Sequence, residues 1–525
     1  MRRLLASLLL GLLAACSGEP ATNAGNTLHR GTGTDPETLD AQRARSTQAA
    51  EVLRDIGEGL VVLSADGELE AGAAESWQVS DDGLVYTFRI RDSARWSNGD
   101  RLVAAHFMRG LRRLVDPQVA AFYAQSVAGI LNARAISAGE MPPEMLGVAT
   151  PDDSTLIIEL ERPVPYLLSL LTHPSTFPSH PQNDAAASDV PLLSNGAYRL
   201  LEWRPGSLLV LERNEHYWND EATAIDRVMY HVHTEANVEL NRFRAGELHV
   251  TSNVPPERFE DVRARYGEQL RVAPYLGVYY YGFNLTRAPF KDNAALREAL
   301  SMAIDREVLV QQITRRGEAP AYSWVPPGVN NYEPPQLAFA GIPQRDRNAQ
   351  AQRLLAQAGF GPDRPLEIEL RYNTSDTQRR IALAVQSMWA DTLGVRTRLV
   401  NEEFKVLLEN IRDREVTEIF RASWIGDYND AQNFLALMHS DSSSNLPGYA
   451  NPAYDALLES AASQVDPQRR RLFLEEAERL LLEDHAVMPL YFYVSKHLVH
   501  PAVRGWRDNV LDYHYSRHLS LDTAP

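Results

Sequence analysis

Segments with the periodicity of strands recur along the whole chain, and they constrain the fold more than any other feature of the sequence. Residues 84–90 (LVYTFRI) alternate apolar and polar side chains, which is the pattern of a strand buried on one face. Three further segments have strand character: residues 154–160, 207–213 and 365–372. Strands are therefore expected from the first hundred residues to beyond residue 365.

Segments with helical periodicity separate these strands. Asp292 can cap a helix whose apolar stripe begins at Leu296, and a second helix is predicted over residues 348–359 with Gly359 as its C-terminal stop. Asp466 and Pro467 open a third helix. Strands interleaved with helices predict α/β layers rather than an all-helical bundle.

The chain of 525 residues is too long for one hydrophobic core, so two or three domains are expected. Turn-rich segments at residues 173–180 and 323–335 indicate possible boundaries. The formal charge of −17 argues against a surface that binds nucleic acid or an anionic membrane.

The N-terminus has the pattern of an export signal. Arg2 and Arg3 precede an apolar run over residues 4–13, which is too short to span a membrane. The end of the run resembles a bacterial lipoprotein signal, with residues 1–15 removed and Cys16 acylated; the alternative is an ordinary signal peptide with an incidental cysteine. Cys16 is the only cysteine, so no internal disulfide can form. Residues 16–27 are predicted to be a lipidated N-terminus and flexible tether.

Residues 420–435 (FRASWIGDYNDAQNFL) mix aromatic and charged side chains more closely than a solvated loop or a plain core strand does. Asp427 can hold an ammonium group, Trp424 can exclude water beside it, and the fork of Arg421 suits a carboxylate. Backbone groups around Ser423 could pair with an added strand. The alternative is that Asp427 caps a loop, Arg421 pairs with Glu418 and Trp424 is a core residue.

Sequence patterns of the common hydrolases and nucleotide-binding proteins are absent. The chain has no HExxH, no GxSxG and no P-loop. His231 and His233 alternate as strand neighbours do, and they are more typical of half-exposed strand residues than of metal ligands; the histidines from His514 to His518 are interpreted in the same way. The sequence therefore predicts a binding protein that is not an enzyme and uses no cofactor or metal.

Several sequence blocks together resemble the oligopeptide-binding lipoproteins of bacterial ABC importers, which belong to family 5 of the extracytoplasmic solute-binding proteins. The blocks follow the family's order: DPETLD (35–40), EGL (58–60), AESW (74–77), ARWSNGDRLVAAHF (94–107), LSNGAYRLLEW (193–203), NEHYWN (214–219), YYYGFN (279–284), RYNTSDTQ (371–378), residues 420–435 and GYANPAYDALL (448–458). RYNTSDTQ and residues 420–435 point to the oligopeptide branch.

The resemblance implies a two-lobed clamshell of the type II periplasmic-binding-protein class, with an extra domain inserted in the first lobe. Lobe I would comprise residues 28–70, 174–277 and 495–525, the inserted domain residues 71–173, and lobe II residues 278–494.

The resemblance also implies site residues. Asp427 would hold the ligand's ammonium group and Arg421 its terminal carboxylate. Glu58 matches a position near the ligand backbone, although an exposed helix acid is an equal alternative. Tyr123, Phe404 and Tyr281 match aromatic cleft walls, with core positions as the alternative. Where related oligopeptide binders carry a histidine that assists with the carboxylate of short ligands, this chain carries Gln378, which never carries charge.

The function implied is an extracytoplasmic, lipid-anchored receptor that delivers oligopeptides to the permease subunits of an ABC importer in the inner membrane. We expect a periplasmic monomer that touches the membrane only through its anchor and binds no nucleic acid. A receptor of the same fold for a murein peptide, dipeptide, nickel or haem is the alternative, followed by an extracytoplasmic hydrolase or a tethered structural lipoprotein.

Overall fold

The computed structural model describes residues 26–185 and 192–522. Its strands, in chain order, are β1 (Thr27–Gly31), β2 (Val61–Leu63), β3 (Leu69–Ala71), β4 (Ala74–Val79), β5 (Val85–Ile90), β6 (Val148–Ala149), β7 (Thr155–Glu159), β8 (Tyr198–Arg204), β9 (Leu208–Arg213), β10 (Arg227–His231), β11 (Leu270–Phe283), β12 (Ala319–Pro320), β13 (Glu367–Asn373), β14 (Arg396–Glu402), β15 (Ile419–Ile425), β16 (Val487–Leu498), β17 (Val503–Arg504) and β18 (Ser520–Leu521).

The α-helices between these strands are α1 (Thr47–Ile56), α2 (Ala104–Val115), α3 (Ala133–Ser137), α4 (Leu167–Leu170), α5 (Ala236–Arg244), α6 (Phe259–Tyr266), α7 (Ala294–Met302), α8 (Arg306–Val308), α9 (Gln344–Gln357), α10 (Asp376–Leu393), α11 (Phe404–Asp413), α12 (Gln432–Leu435), α13 (Pro452–Ser463) and α14 (Pro467–Glu483). The α/β fold class expected from the alternating periodicities is therefore confirmed.

Three larger sheets organise the described part of the chain. One has the order β1-β10-β9-β8, a second the order β4-β5-β7-β6, and the third, with six strands, the order β12-β16-β11-β15-β13-β14. The second sheet is antiparallel throughout, whereas the other two mix parallel and antiparallel pairs. Each sheet packs in its own cluster of buried apolar side chains, so each has a core of its own.

Two long strands, β11 and β16, connect distant parts of the chain. Residues 270–274 of β11 pair with residues 494–498 of β16, and residues 278–282 pair with residues 487–492 after a shift in register. The interrupted segment is held from elsewhere, because Leu276 N donates to Val510 O and Gly426 N donates to Leu276 O. The strand pair is thus locally irregular at the point where the sequence predicted a passage between lobes. The predicted lobe boundaries themselves stay a prediction.

Most element predictions are confirmed, with shifts at the ends. Residues 84–90 form β5, in which Tyr86, Phe88 and Ile90 are buried, and Asp466 caps α14 by accepting hydrogen bonds from the first backbone N–H groups. The helix expected after Asp292 is capped instead by the side chain of Asn293. The helix expected over residues 348–359 begins at Gln344 and does end before Gly359.

The beginning of the folded part differs slightly from expectation. Thr27, which was included in the predicted tether, is the first residue of β1. Cys16 and the export signal lie outside the described residues. In residues 26–185 and 192–522, no helix combines the length and the apolar character needed to cross a bilayer.

Candidate ligand-binding site

Strand β15 carries the charged and aromatic stretch and has one partly open edge. It pairs along its whole length with β11, from Ile419 opposite Phe283 to Ile425 opposite Gly277. On its other side β13 pairs only with Ile419 and Phe420. Within the described residues, positions 422–425 therefore have no strand partner on that side. An extended peptide could add itself there through main-chain hydrogen bonds.

Asp427 lies just after β15, two residues beyond Ile425, the last residue of the strand. Its carboxylate remains accessible and makes no hydrogen bond or ion pair with any residue in the described ranges. The surrounding walls nevertheless desolvate the carboxylate, and this burial raises its pKa. The alternative of a loop cap does not describe Asp427; Asp430 has that role, since it accepts a hydrogen bond from Gln432 N and pairs with Arg470.

Asp427 lines a cavity of about 240 Å³, which we call the Asp427 cavity. The cavity brings together residues from distant parts of the sequence: Arg54 from α1, Tyr123, His173, Tyr275 from β11, and Tyr513. Burial, with the Asp427 charge as the next contribution, raises the pKa of Tyr123 to about 12, so its hydroxyl stays protonated. The structure thus places Tyr123 and Asp427, both predicted site residues, in the wall of one cavity.

Arg421 and Gln378 both contact Tyr279, at a second position in the candidate site. The Arg421 guanidinium carbon lies 5.1 Å from the centre of the Tyr279 ring, and the Tyr279 hydroxyl donates a 2.5 Å hydrogen bond to Gln378 Oε1. Burial opposes the charge of Arg421, but the neighbouring tyrosine hydroxyls, Tyr279 first, outweigh burial and raise its pKa. Arg421 is therefore a cation at all working pH.

Arg421 has no acid partner within residues 26–185 and 192–522. Its Nη2 atom donates a 3.2 Å hydrogen bond to Ser423 Oγ, its guanidinium also interacts with the Tyr279 hydroxyl, and its Nε atom is buried without a partner in the described residues. The predicted alternative partner, Glu418, instead accepts a hydrogen bond from the backbone N–H of Glu369 at 2.6 Å. A buried guanidinium without a carboxylate is suited to receive one from a ligand.

Trp424 is half-buried and packs against the large core cluster of the six-stranded sheet. Its Nε1 atom donates a 2.7 Å hydrogen bond to Asn433 Oδ1, which fixes the orientation of the indole ring. One side of Trp424 therefore packs on the core, as the alternative interpretation expects, and the residue remains partly accessible.

Three further predicted residues differ in their burial. Glu58 is 1% exposed, and its two oxygens accept hydrogen bonds from Tyr217 and Trp218 at 2.5 and 2.7 Å, so it is neither an exposed acid nor a free ligand group. Tyr281 is fully buried, which agrees with its alternative interpretation as a core residue rather than a cleft wall. Phe404 is 49% exposed at the start of α11.

The histidines singled out in the sequence are tied into protein contacts. Arg242 Nη1 lies 3.1 Å from His231 Nδ1 and 2.7 Å from His233 Nε2, and His231 is buried rather than half-exposed. Among the described residues, one group has the spacing of a metal site: His497, Asp512 and His514. There, burial opposes the charge of His497, but Asp512 at 2.9 Å outweighs it and raises the pKa of His497 to about 9. His497 and Asp512 form an ion pair within this cluster.

Sequence reasoning missed Tyr279, Asn433 and Arg54. The block YYYGFN contains both tyrosines, and the resemblance indicates Tyr281 rather than Tyr279 as a site residue. The register places Tyr281 directly opposite Arg421, yet the long arginine side chain reaches diagonally to Tyr279, which lies opposite Ser423. The alternation of the block showed that both tyrosines share a face, but it could not show which one the arginine contacts.

Comparisons with known proteins agree with this geometry. Residues 68–445 match the family described as bacterial extracellular solute-binding proteins, family 5 Middle. The chain is 37% identical over 507 residues to the periplasmic oligopeptide-binding protein OppA of Salmonella typhimurium, covering 94% of this chain and 92% of the relative. It is 35% identical over 494 residues to the periplasmic murein peptide-binding protein MppA of Escherichia coli, covering 93% and 91%.

Among solved structures, an unliganded open form of the periplasmic murein tripeptide-binding protein MppA superposes with a TM-score of 0.88, at 35% identity over 95% of this chain and 98% of that one. Haemophilus influenzae OppA in complex with the peptide RPPGFSPFR superposes with a TM-score of 0.74. Its identity is 33%, over 95% of this chain and 99% of that one. The two-lobed class expected from the sequence is confirmed. The chain therefore superposes more closely on the open, unliganded relative than on the peptide complex.

Proposed function

The chain belongs to family 5 of the bacterial extracellular solute-binding proteins, and from that premise we propose that it binds oligopeptides outside the cytoplasm and delivers them to an ABC importer. The relatives described above are binding proteins for oligopeptides and murein peptides, and none is described as an enzyme. The binding role is supported by the similarity of the chain over almost its whole length.

The observation that carries the proposal is a free strand edge between two unpaired charges of opposite sign. Residues 422–425 offer main-chain groups, Asp427 lies beyond one end of this edge and Arg421 lies at the other. Four residues of strand span about 13 Å, which is the length of a short extended peptide. A peptide has a positive amino terminus, a negative carboxyl terminus and a constant backbone, so this arrangement matches the parts that all peptides share.

We assign the groups as follows. The Asp427 carboxylate receives the α-ammonium, with Trp424 and Tyr123 excluding water from the pair. The open edge of β15 receives the ligand backbone without reading its side chains. The Arg421 guanidinium, with the free N–H groups of Gln378, receives the terminal carboxylate of short ligands. Little selectivity for the side chains is expected from this scheme.

The remaining parts of the proposal concern the whole molecule. Lobe I would comprise residues 28–70, 174–277 and 495–525 with residues 71–173 inserted, and lobe II residues 278–494. The protein would be a periplasmic monomer, anchored through acylated Cys16, that docks on inner-membrane permease subunits. The irregular pairing of β11 with β16 supports a hinge between the lobes.

A murein peptide is the second candidate ligand, favoured by the TM-score of 0.88 with the open murein tripeptide-binding protein. Native mass spectrometry of the purified protein separates the two. A series of co-purifying peptide masses supports the general oligopeptide receptor, and a single mass equal to that of a murein peptide supports the second candidate. A protein that carries no peptide and binds none when peptides are added would contradict both.

A further inference from the structure

Arg54 is a buried cation that has no acid partner in the part of the chain that the structure describes. It lies in α1, its exposed fraction is 9%, and its Nε atom has no hydrogen-bond partner. Within the described ranges its guanidinium makes no hydrogen bond or ion pair with another side chain. Its one specific contact is the Tyr513 ring, whose centre lies 3.4 Å from the guanidinium carbon. This stacking orients the guanidinium without neutralising it.

The acids near Arg54 form ion pairs or hydrogen bonds with other groups. Glu51, which also lines the Asp427 cavity, pairs with Arg30 at 2.6 Å. Asp55 accepts hydrogen bonds from the Tyr230 hydroxyl and from Ser516 N, both at 2.8 Å. Neither carboxylate forms a hydrogen bond or an ion pair with Arg54, so in the described residues its charge has no direct acid partner.

The other acids and histidines of the Asp427 cavity are paired or neutral. Asp512 pairs with His497 at 2.9 Å. His514 contacts Asp512 at 3.0 Å. Burial, assisted by the charge of Arg54, lowers the pKa of His173 to about 3, so its ring is neutral. Judged by contacts among the described residues, the cavity therefore contains one unpaired cation, Arg54, and one unpaired anion, Asp427.

The two unpaired charges come from different parts of the fold. Arg54 belongs to α1, which packs with the four-stranded sheet of β1, β10, β9 and β8, whereas Asp427 follows β15 of the six-stranded sheet. Both charges line the same cavity, whose volume is about 240 Å³. A ligand segment that satisfies both charges must therefore carry its own positive and negative groups within one or two residues.

We propose that Arg54 forms a subsite for an acidic side chain near the amino terminus of the peptide. This rests on the proposed function, in which Asp427 takes the α-ammonium. The terminal carboxylate of an oligopeptide is held at the Arg421 end, so the carboxylate at Arg54 comes from aspartate or glutamate at the first or second ligand residue. Such a peptide joins α1 to β15 electrostatically, which adds to the contacts that favour a closed state.

The test compares matched tetrapeptides by titration calorimetry. Glu-Ala-Ala-Ala is compared with Gln-Ala-Ala-Ala, and Ala-Glu-Ala-Ala with Ala-Gln-Ala-Ala, so that the pairs distinguish the first ligand residue from the second. The unaltered protein should bind the acidic member of at least one pair about tenfold more tightly, as expected for a charge-assisted pair in a desolvated cavity.

Arg54→Gln should abolish this preference while changing the affinity for the neutral peptides by about twofold or less. Arg54→Lys keeps the charge without the fork and should retain part of the preference. Arg43→Gln, at an exposed arginine, removes the same formal charge and should leave the preference intact. If Arg54→Gln does not fold, the preference for acidic peptides is compared between the unaltered protein and Arg54→Lys, and a preference that is unchanged in Arg54→Lys would overturn the proposal.

Equal binding of acidic and neutral peptides by the unaltered protein would overturn the proposal, as would a preference that survives Arg54→Gln. In both cases peptides still bind, so the proposed function stands and only the subsite fails. Failure of all four peptides to bind would overturn the proposed function and the subsite with it.

Discussion

The Tyr279 hydroxyl donates a hydrogen bond of 2.5 Å to Gln378 Oε1. This bond engages the amide oxygen of Gln378 and leaves its two N–H donors without a partner in the described residues. Because the ring of the same tyrosine lies 5.1 Å from the guanidinium carbon of Arg421, the free N–H groups and the guanidinium lie near one another. A ligand carboxylate placed there can receive hydrogen bonds from both.

Replacing Gln378 by histidine should make this end of the site sensitive to pH. A protonated histidine binds a carboxylate more strongly than an amide does, so Gln378→His should gain about threefold to tenfold affinity for a tripeptide as pH falls from 7.5 to 5.5. In the unaltered protein this end of the site should contribute little pH dependence, because Arg421 stays cationic and Gln378 has no charge to lose.

The measurement is calorimetric binding of a tripeptide and a pentapeptide to both proteins across that pH range, each with a free and an amidated carboxyl end. The amidated tripeptide is the control and should show no gain. A histidine variant without a pH-dependent gain for the short, free-carboxylate ligand would show that Gln378 does not face the ligand's carboxyl end.

Peptide binding should close the molecule. The structure resembles an open form, and β11 and β16 lose their regular pairing around residues 275–277, where a hinge can absorb the movement. Small-angle scattering should therefore give a smaller radius of gyration with saturating peptide than without it. An N-acetylated peptide, which should bind weakly, is the control. A radius that stays constant at proven saturation would contradict closure.

Cys16 should anchor the protein to a membrane. Cys16→Ala should leave the chain unprocessed or release it from the membrane fraction, because acyl chains contribute about 0.8 kcal/mol per buried CH₂ group. Intact mass of the mature protein provides the measurement. A mature chain that begins at another residue and carries no acyl group would contradict the lipoprotein interpretation.

Glu478 should make folding stability depend on pH. It is fully buried in α14, where it accepts hydrogen bonds from Trp324 N, Val325 N and the Tyr332 hydroxyl, and burial raises its pKa to about 8 from the ordinary 4.5. Between these values the folded protein holds a proton that the unfolded chain releases. The free energy of unfolding should therefore fall as pH rises from about 4.5 toward 8.

Glu478→Gln keeps an acceptor for the two N–H groups and cannot titrate, so it should remove this part of the pH dependence. Glu478→Leu leaves the buried donors unsatisfied, at a cost of about 1–3 kcal/mol for each. Urea unfolding of the three proteins at several pH values gives the comparison. Identical slopes of stability against pH in the unaltered protein and Glu478→Gln would contradict the assignment.

Local chemistry made several elements predictable. The Asp466 cap of α14 and the alternation of β5 follow from neighbouring residues alone. The short spacing of Arg421, Trp424 and Asp427 along the chain indicated that β15 is not an ordinary core strand. Arg54 could not be found in this way. In the sequence it is one arginine of an amphipathic helix, and only the tertiary structure places it in a cavity with an acid more than three hundred residues away.

The errors have a similar cause. Asp292 and Asn293 are both good caps, and the choice between them depends on the backbone, since Asp292 adopts a left-handed conformation with φ of 55° and Asn293 caps α7. The hydrogen bonds of Glu58 could not be predicted either, because its sequence block gives no indication of Tyr217 and Trp218, which approach from a distant segment.

The central claim is that Asp427 holds the amino terminus of a peptide, and its pH dependence gives a first test. Burial raises the pKa of the free carboxylate above the ordinary 3.8, and only the ionised form attracts an ammonium. Affinity should therefore fall as pH decreases from 7 toward that raised pKa. Asp427→Asn has no proton to bind and should lose this dependence.

The most direct measurement is calorimetric binding of a free and an N-acetylated tetraalanine to the unaltered protein and to Asp427→Asn at pH 7. The unaltered protein should bind the free peptide more tightly than the acetylated one. Asp427→Asn should lose about 2–5 kcal/mol of binding free energy for the free peptide and little for the acetylated one, because the ammonium is left without its partner. Equal binding of both peptides by the unaltered protein would contradict the account.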